Sequence, residues 1–185
     1  YVVQTVLKEC KEDLIVLERD TSSLERVKAP FPRISYSEAA DILEKECPDF
    51  IRGEDFGAAH ETAISQHYDR PVFVYDFPKV IKGFYFKESK DPNFVRGCDL
   101  LAPEGFGEIV GGGQREDDVN KLLEGIEHHG LNQDDYKWYL DLRRYGTVPH
   151  SGFGIGVERT VGWICGVHHI RETIPFPRTI NNLRP

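Results

Sequence analysis

The sequence predicts an α+β fold in which a mostly antiparallel sheet is flanked by helices. Three observations lead to this prediction: a helix-like segment opens the chain, strand-like segments follow one another in its middle, and one more strand enters late, after two further helices. The regular alternation of strand and helix that builds a parallel sheet is absent. With 185 residues, 39% of them hydrophobic, the chain is long enough for one domain with a core of its own.

The first third of the chain is predicted to hold helices separated by loops. From Tyr1 to about Glu18 the apolar residues fall on one face, which is the spacing of an amphipathic helix. Residues 29–34 form a loop punctuated by prolines. Ser35 and Glu38 then have the spacing of a capping box, which predicts the start of a short helix. Residues 51–71 are predicted to form a loop that carries another short helix.

The rest of the chain is predicted to hold the sheet and three helices. Aromatic and β-branched residues are concentrated in four segments, which we predict to be strands: residues 71–77, 82–87, 94–102 and 107–115. Acidic residues followed by a terminal glycine then indicate two helices, which end at Gly130 and Gly146. The late strand begins at Ser151, and a helix runs from about Glu158 to Gly166.

Composition and charge narrow the class of protein. The net charge is -8, which argues against wrapping nucleic acid by charge alone. No apolar run is long enough to span a membrane and no signal peptide is visible, so we expect a cytoplasmic protein without membrane contact. The four cysteines include no C-x-x-C pair, and reduced thiols are expected. The chain begins at Tyr1 and has no methionine, from which we expect it to be a piece of a longer protein.

The late strand has an unusual sequence, SGFGIGVER. Its glycines alternate with Phe153, Ile155 and Val157, so one face of the strand lacks side chains. Such a row indicates that something approaches the backbone closely. Because no Walker A or G-x-G-x-x-G motif occurs, a nucleotide would lie against a strand. Arg159 would then clamp its phosphates. The alternative is tight packing of strand and helix, with Arg159 paired to an acid.

A second segment combines two carboxylates with a run of three glycines. In CDLLAPEGFGEIVGGGQRE, Asp99 and Glu108 fall on neighbouring strands and Arg115 follows the glycines. Two carboxylates suit a magnesium ion that is held mainly by phosphates. The alternative is that Asp99 caps a turn and Glu108 is solvated. None of the histidine pairs has the spacing of metal ligands, and the proline-rich segment 169–179 is interpreted as a packed tail.

Together these motifs resemble the C-terminal part of the catalytic domain of class II aminoacyl-tRNA synthetases. The segment GFGIGVER resembles motif 3 of that class. The longer segments are similar to asparaginyl-tRNA synthetases of the bacterial type: WYLDLRRYGTVPHSGFGIGVERTVGWICG, RPVFVYDFPKVIKGFYFK and DLLAPEGFGEIVGGGQRE. The resemblance covers almost the whole chain, so residues 1–185 form one part of that catalytic domain.

The resemblance implies roles for individual residues. Arg159, the motif 3 arginine, would be catalytic through its contact with the adenine and γ-phosphate of ATP. Asp99 and Glu108 would bind Mg²⁺. Arg115 would hold the side-chain oxygen of the amino acid, with Gln114 beside it. The residues expected at ATP are Glu108, Gly152, Gly154, Gly156 and Arg159.

The implied function is ATP-dependent activation of L-asparagine to asparaginyl-adenylate and its transfer to tRNA(Asn), by a homodimer in the full-length enzyme. Motifs 1 and 2 and the N-terminal anticodon-binding domain are absent from the chain, so we expect the fragment alone to be inactive. Two alternatives remain open. One is an aspartate enzyme, either aspartyl-tRNA synthetase or an asparagine synthetase of the same fold. The other is a non-catalytic fragment that binds a partner.

Overall fold

A computed structural model describes residues 1–181 and residue 184. The described residues form a five-stranded sheet of order β1-β2-β3-β4-β5. The strands are β1 (Arg33–Ser35), β2 (Val72–Pro78), β3 (Phe94–Ala102), β4 (Gly107–Gln114) and β5 (Ser151–Ile155). Strands β1 and β2 are parallel and the other three neighbouring pairs are antiparallel. The predicted α+β class with a mostly antiparallel sheet is therefore confirmed.

Helices lie before, between and after the strands. They are α1 (Val2–Glu9), α2 (Lys11–Val16), α3 (Ser22–Glu25), α4 (Tyr36–Glu46), α5 (Ala58–Gln66), α6 (Val119–His128), α7 (Lys137–Arg144) and α8 (Val157–Cys165). The predicted capping box is present at α4, where Ser35 and Glu38 bond each other's backbone N–H groups. Helix α8 ends at Gly166, whose φ of 71° lies in the left-handed region that glycine adopts readily. Within residues 1–181 no helix is long and apolar enough to cross a membrane.

The hydrophobic core has one part on each face of the sheet. Helices α4 and α5 pack through Leu43 and Ile64 onto Val74 and Leu101 of the sheet. On the opposite face, α1 and α8 pack with Ile109 in a cluster that includes the buried Trp163. A smaller cluster joins α6 to α7 around Leu122 and Leu140, with Phe84 packed against it. At one end, strands β3 and β4 are therefore covered by helices on both faces of the sheet.

Three predicted elements differ from the structure. The opening helix is two helices that are interrupted at Cys10. Residues 33 and 34, predicted to lie in a loop, form with Ser35 a short strand that is parallel to β2. The predicted strand over residues 82–87 is wrong: the segment forms turns, with one isolated bridge between Phe86 and Arg115. Phe84 of this segment packs against α6 and α7, and the rings of Tyr85 and Phe86 lie beside Arg115.

Candidate functional site

Three neighbouring strands present a face that is almost free of side chains. Directly paired residues share a face of a sheet, as do residues two positions apart. The register sets two adjacent rows across β3, β4 and β5: Gly97, Gly113 and Gly152 in one row, and Asp99, Gly111 and Gly154 in the other. The bare face that the sequence predicted for β5 therefore extends over three strands. We call these two rows the glycine face.

Arg115 lies flat at one end of the glycine face. A Cβ atom built at Gly152 would lie 3.0 Å from Arg115 Nη2, so the glycine makes room for the guanidinium. The guanidinium carbon lies 4.9 Å from the ring centre of Tyr85 and 5.3 Å from that of Phe86. No carboxylate in the described part of the chain lies within ion-pair distance of Arg115. Its donors are available to an oxygen atom of a ligand.

The end of β4 that carries Arg115 is held by a buried polar network. Glu116 is 2% exposed, and its Oε1 accepts the backbone N–H groups of Asp117 and Asp118, both at 3.0 Å. Lys87 Nζ lies 3.2 Å from the same oxygen. Arg143 Nε of α7 donates to the backbone oxygen of Glu116 at 3.0 Å. This network restrains the backbone next to Arg115, and no local sequence pattern indicates it.

Asp99 and Glu108 converge on Gly111 in the middle of the glycine face. A Cβ atom at Gly111 would lie 2.5 Å from Glu108 Oε1 and 3.4 Å from Asp99 Oδ1. Burial raises the pKa of Asp99 above its ordinary value, against the opposing effect of Lys82. Burial also raises the pKa of Glu108, and the nearby carboxylate of Glu61 raises it further. The two predicted carboxylates therefore form one partly desolvated pair.

Lys82 is a third charged residue at this point, and no motif in the sequence predicts an individual role for it. Its Nζ lies 2.9 Å from Asp99 Oδ2 and 3.8 Å from Asp55 Oδ1. The ammonium also lies 3.9 Å from the ring centre of Phe77. A small cavity of about 40 Å³ opens here between Lys82 and four acids. The acids are Asp55, Glu61, Asp99 and Glu108. Only the tertiary fold brings Asp55 and Glu61 to β3 and β4, so no local pattern could have identified them.

Arg159 stands at the other end of the glycine face, at the start of α8. Its Nη1 donates to the backbone oxygen of Glu108 at 2.9 Å and lies 3.7 Å from Glu61 Oε2. The side chain is 50% exposed, so much of the guanidinium faces solvent. A Cβ atom at Gly154 would meet nothing within 4 Å, whereas one at Gly156 would contact the Arg159 side chain at 3.5 Å. Open backbone at Gly154 and a half-exposed arginine are therefore neighbours at this end.

Gln114 is not brought to the glycine face. It follows Gly113 and precedes Arg115 in β4, and strand alternation turns its side chain to the opposite surface. There its Oε1 accepts a hydrogen bond from Arg96 Nη1 at 2.8 Å. The structure thus joins Arg115, Asp99, Glu108 and Arg159 in one site and leaves Gln114 outside it.

The carboxylates fit a metal ion only if a ligand supplies most of the donors. Among residues 1–181, no group of three or more His, Cys, Asp or Glu side chains is arranged to hold a metal ion. Two carboxylates over Gly111 do match Mg²⁺, which takes few protein ligands and completes its shell with water and phosphate oxygens.

Comparison with known proteins assigns the chain to a family. Residues 1–180 match the family of tRNA synthetases class II (D, K and N). The chain belongs to the class II tRNA synthetases. It is similar to asparaginyl-tRNA synthetase from Pyrococcus horikoshii, with 51% identity and a TM-score of 0.95 over 99% of this chain and 44% of that one. The same synthetase has been solved with asparaginyl-adenylate.

Two further synthetases from Entamoeba histolytica are similar to the chain. Its asparaginyl-tRNA synthetase in complex with asparaginyl-adenylate is 32% identical, with a TM-score of 0.87 over all of this chain and 42% of that one. Its aspartyl-tRNA synthetase is 27% identical, with a TM-score of 0.89 over all of this chain and 39% of that one. The chain thus spans less than half the length of these synthetases.

Some residues of the candidate site could be predicted from local sequence patterns, and others could not. Asp99, Glu108, Arg115 and Arg159 lie in glycine-rich segments that the sequence analysis selected. Lys82 belongs to a segment that was predicted as a strand, and its role depends on the turn that replaces the strand. The resemblance to synthetases is confirmed, while the narrower resemblance to bacterial enzymes stays a prediction.

Proposed function

We propose that the full-length protein containing this chain is an asparagine–tRNA ligase. The observation that carries the proposal is the pair of guanidinium groups at opposite ends of one glycine face, Arg115 and Arg159, with two carboxylates between them. An amino acid with a polar side chain and a nucleotide with phosphates would fit end to end on such a surface. The greater identity to asparaginyl than to aspartyl synthetases supports asparagine as the amino acid.

The proposed reaction has two steps. The carboxylate of asparagine attacks the α-phosphate of ATP, which forms asparaginyl-adenylate and releases pyrophosphate. A hydroxyl of the terminal ribose of tRNA(Asn) then attacks the carbonyl carbon, takes the aminoacyl group and releases AMP. The residues of this chain would bind and orient the reactants, which is how most of the rate gain in phosphoryl chemistry arises.

Each site residue has a defined part in this proposal. Arg115 donates to the side-chain oxygen of asparagine, and the planar faces of Tyr85 and Phe86 restrict the directions its donors take. Arg159 binds the phosphates, while Gly154 lets the nucleotide lie against the backbone. Asp99 and Glu108 would hold Mg²⁺, which neutralises phosphate charge when bound. Lys82 compensates the charge of Asp99 beside that position.

The proposal extends to the whole protein. A homodimer, a place in cytoplasmic protein synthesis and the use of ATP with Mg²⁺ all follow from the family resemblance. We propose them for the full-length protein and not for the 185 residues alone.

Amino-acid-dependent exchange of pyrophosphate into ATP tests the proposed function in the full-length protein. We expect exchange with asparagine and not with aspartate. Arg115→Met should lower exchange at least about tenfold, because a charge-assisted hydrogen bond is lost. Arg96→Met is the matched control, since Arg96 lies on the opposite face of the sheet. Exchange that depends on aspartate would favour the aspartate alternative, and no exchange with either amino acid would favour a non-catalytic protein.

A further inference from the structure

Glu61 on α5 contacts two parts of the candidate site at once. Its Oε2 accepts the backbone N–H of Glu108 at 2.9 Å and lies 3.7 Å from Arg159 Nη1. Arg159 Nη1 in turn donates to the backbone oxygen of Glu108 at 2.9 Å. Glu61, the Glu108 backbone and Arg159 therefore form a closed set of contacts that joins α5, β4 and α8.

We infer that Glu61 is a positioning residue, whose carboxylate fixes the Arg159 guanidinium for binding a nucleotide triphosphate. This inference rests on the proposed function and deepens it. Arg159 has a long side chain that is half exposed, so without restraint its guanidinium samples many rotamers. The carbonyl and the carboxylate both contact Nη1, and the described residues give Nε and Nη2 no hydrogen-bond partner, so these donors are available to phosphate oxygens.

The approach of Glu61 to β4 requires glycine at position 107. A Cβ atom there would lie only 2.6 Å from Glu61 Oε2, and the φ of Gly107 is +70°, which other residues rarely adopt. Next to this contact, Thr62 Oγ1 donates to the backbone oxygen of Gly105 at 3.0 Å. Helix α5 thus holds the β3–β4 turn and the start of β4 through two adjacent residues, of which Glu61 is the one within ion-pair distance of Arg159.

The contact with Arg159, and not the backbone contact, explains why position 61 holds a charged glutamate and not a neutral residue. A neutral glutamine could accept the Glu108 N–H equally well. The glutamate is 13% exposed and its carboxylate is near that of Glu108 in the same small cavity. Placing like charges together in a partly buried position destabilises the fold. The cation of Arg159 is the partner in the described chain that offsets this repulsion at Glu61.

Equilibrium binding of ATP to the full-length protein, without asparagine, tests the inference. We expect Glu61→Gln to weaken ATP binding about fivefold, as expected for loss of a partly exposed ion pair, while the KM for asparagine in pyrophosphate exchange stays unchanged. Thr62→Val is the matched control, because it removes the other contact between α5 and the turn and leaves Arg159 untouched. Its ATP binding should equal that of the unsubstituted protein.

A double substitution separates positioning from general damage. If Glu61 acts through Arg159, adding Glu61→Gln to Arg159→Ala should change ATP binding no further. The inference is overturned if Glu61→Gln binds ATP normally, if it weakens the Arg159→Ala protein by the same factor, or if Thr62→Val reproduces its effect. Absence of ATP binding and exchange in the unsubstituted protein would overturn the proposed function, and the inference with it.

Discussion

Glycines determine how close the charged side chains of the site lie to the sheet. Arg115 occupies the space above Gly152, and the carboxylate oxygens of Asp99 and Glu108 occupy the space above Gly111. With any larger residue in these places, the charged groups would stand further from the backbone. Gly154 differs from both because its space is empty. The glycines of β5 therefore differ in what lies above them, a guanidinium at Gly152 and open space at Gly154.

Alanine at the two β5 positions should separate the effects of these two spaces. Gly152→Ala places a methyl group 3.0 Å from the Arg115 guanidinium, so it should raise the KM for asparagine and leave the KM for ATP nearly unchanged. Gly154→Ala meets no protein atom, so it should leave thermal stability unchanged and raise the KM for ATP. Pyrophosphate exchange with each substrate varied in turn measures both constants. Equal effects of the two substitutions on both constants would contradict this division.

The free energy of unfolding is expected to depend on pH through Glu88, which lies outside the candidate site. Lys121 and Lys79 bond its carboxylate and lower its pKa to about 2. Between pH 4.5 and about 2 the unfolded chain then binds more protons than the folded chain, so this stabilisation is present at neutral pH and is lost as the pH falls through that range. Glu88→Gln should cost about 1 kcal/mol at pH 7.

Denaturant unfolding of the protein at several pH values measures this effect. The difference in stability between the Glu88→Gln protein and the unsubstituted protein should shrink as the pH is lowered. Glu124→Gln, which changes an exposed acid on α6, is the control and should change stability little at any pH. A constant difference for Glu88→Gln across the range would mean that its charge is not what stabilises the fold.

Arg19 ties two elements together at the level of secondary structure. Its side chain is 9% exposed, and its Nε and Nη2 donate to the last carbonyls of α8, those of Ile164 and Trp163, at 3.1 and 3.3 Å. It also bonds both oxygens of Glu104 in the β3–β4 turn, at 3.1 and 2.8 Å. Helix α8, which begins next to Arg159, is thereby fixed at its far end.

Arg19→Met should lower the free energy of unfolding by about 2–3 kcal/mol, since several partners lose their hydrogen bonds at once. Chemical denaturation monitored by tryptophan fluorescence checks the value. Arg26→Met on the exposed end of α3 is the control and should stay within about 0.5 kcal/mol of the unsubstituted protein. If Arg19→Met lowered the free energy of unfolding by no more than Arg26→Met does, the contacts of Arg19 would contribute little to stability.

Local patterns predicted most elements, and the exceptions have physical causes. Strands β3 and β4, the capping box of α4 and the end of α8 at Gly166 all follow from residue types at fixed spacing. Strand β1 was missed because the residues that pair with it lie forty positions further along the chain. Residues 82–87 have the composition of a strand, yet their aromatic side chains are required to cover α6 and to flank Arg115.

The candidate site was predicted only as far as the glycine-rich segments reach. Asp99, Glu108, Arg115 and Arg159 lie in or next to those segments. Glu61 is on a helix whose sequence gives no sign of the site, and it reaches β4 only through the tertiary packing of α5. Long-range contacts of this kind leave no local pattern.

At the scale of the whole molecule, β5 is an edge of the sheet in the described residues. Phe153 is 76% exposed and Ile155 is 47% exposed, so the edge is apolar as well as unpaired. Such edges promote association between chains. We expect the isolated 185 residues to self-associate or to melt without a sharp transition, and to form no asparaginyl-tRNA. Sedimentation and thermal unfolding check the first expectation, and a stable monomer with a cooperative melt would contradict it.

The proposed function requires one ligand to lie along the glycine face between Arg115 and Arg159. A crystal structure of the full-length protein with a non-hydrolysable analogue of asparaginyl-adenylate tests this most directly. We predict that the side-chain oxygen of the analogue lies within hydrogen-bond distance of the Arg115 guanidinium, that its nucleotide lies against Gly154, and that Arg159 borders the nucleotide. An analogue bound away from β4 and β5, or bound there with Arg115 turned away from it, would contradict the account.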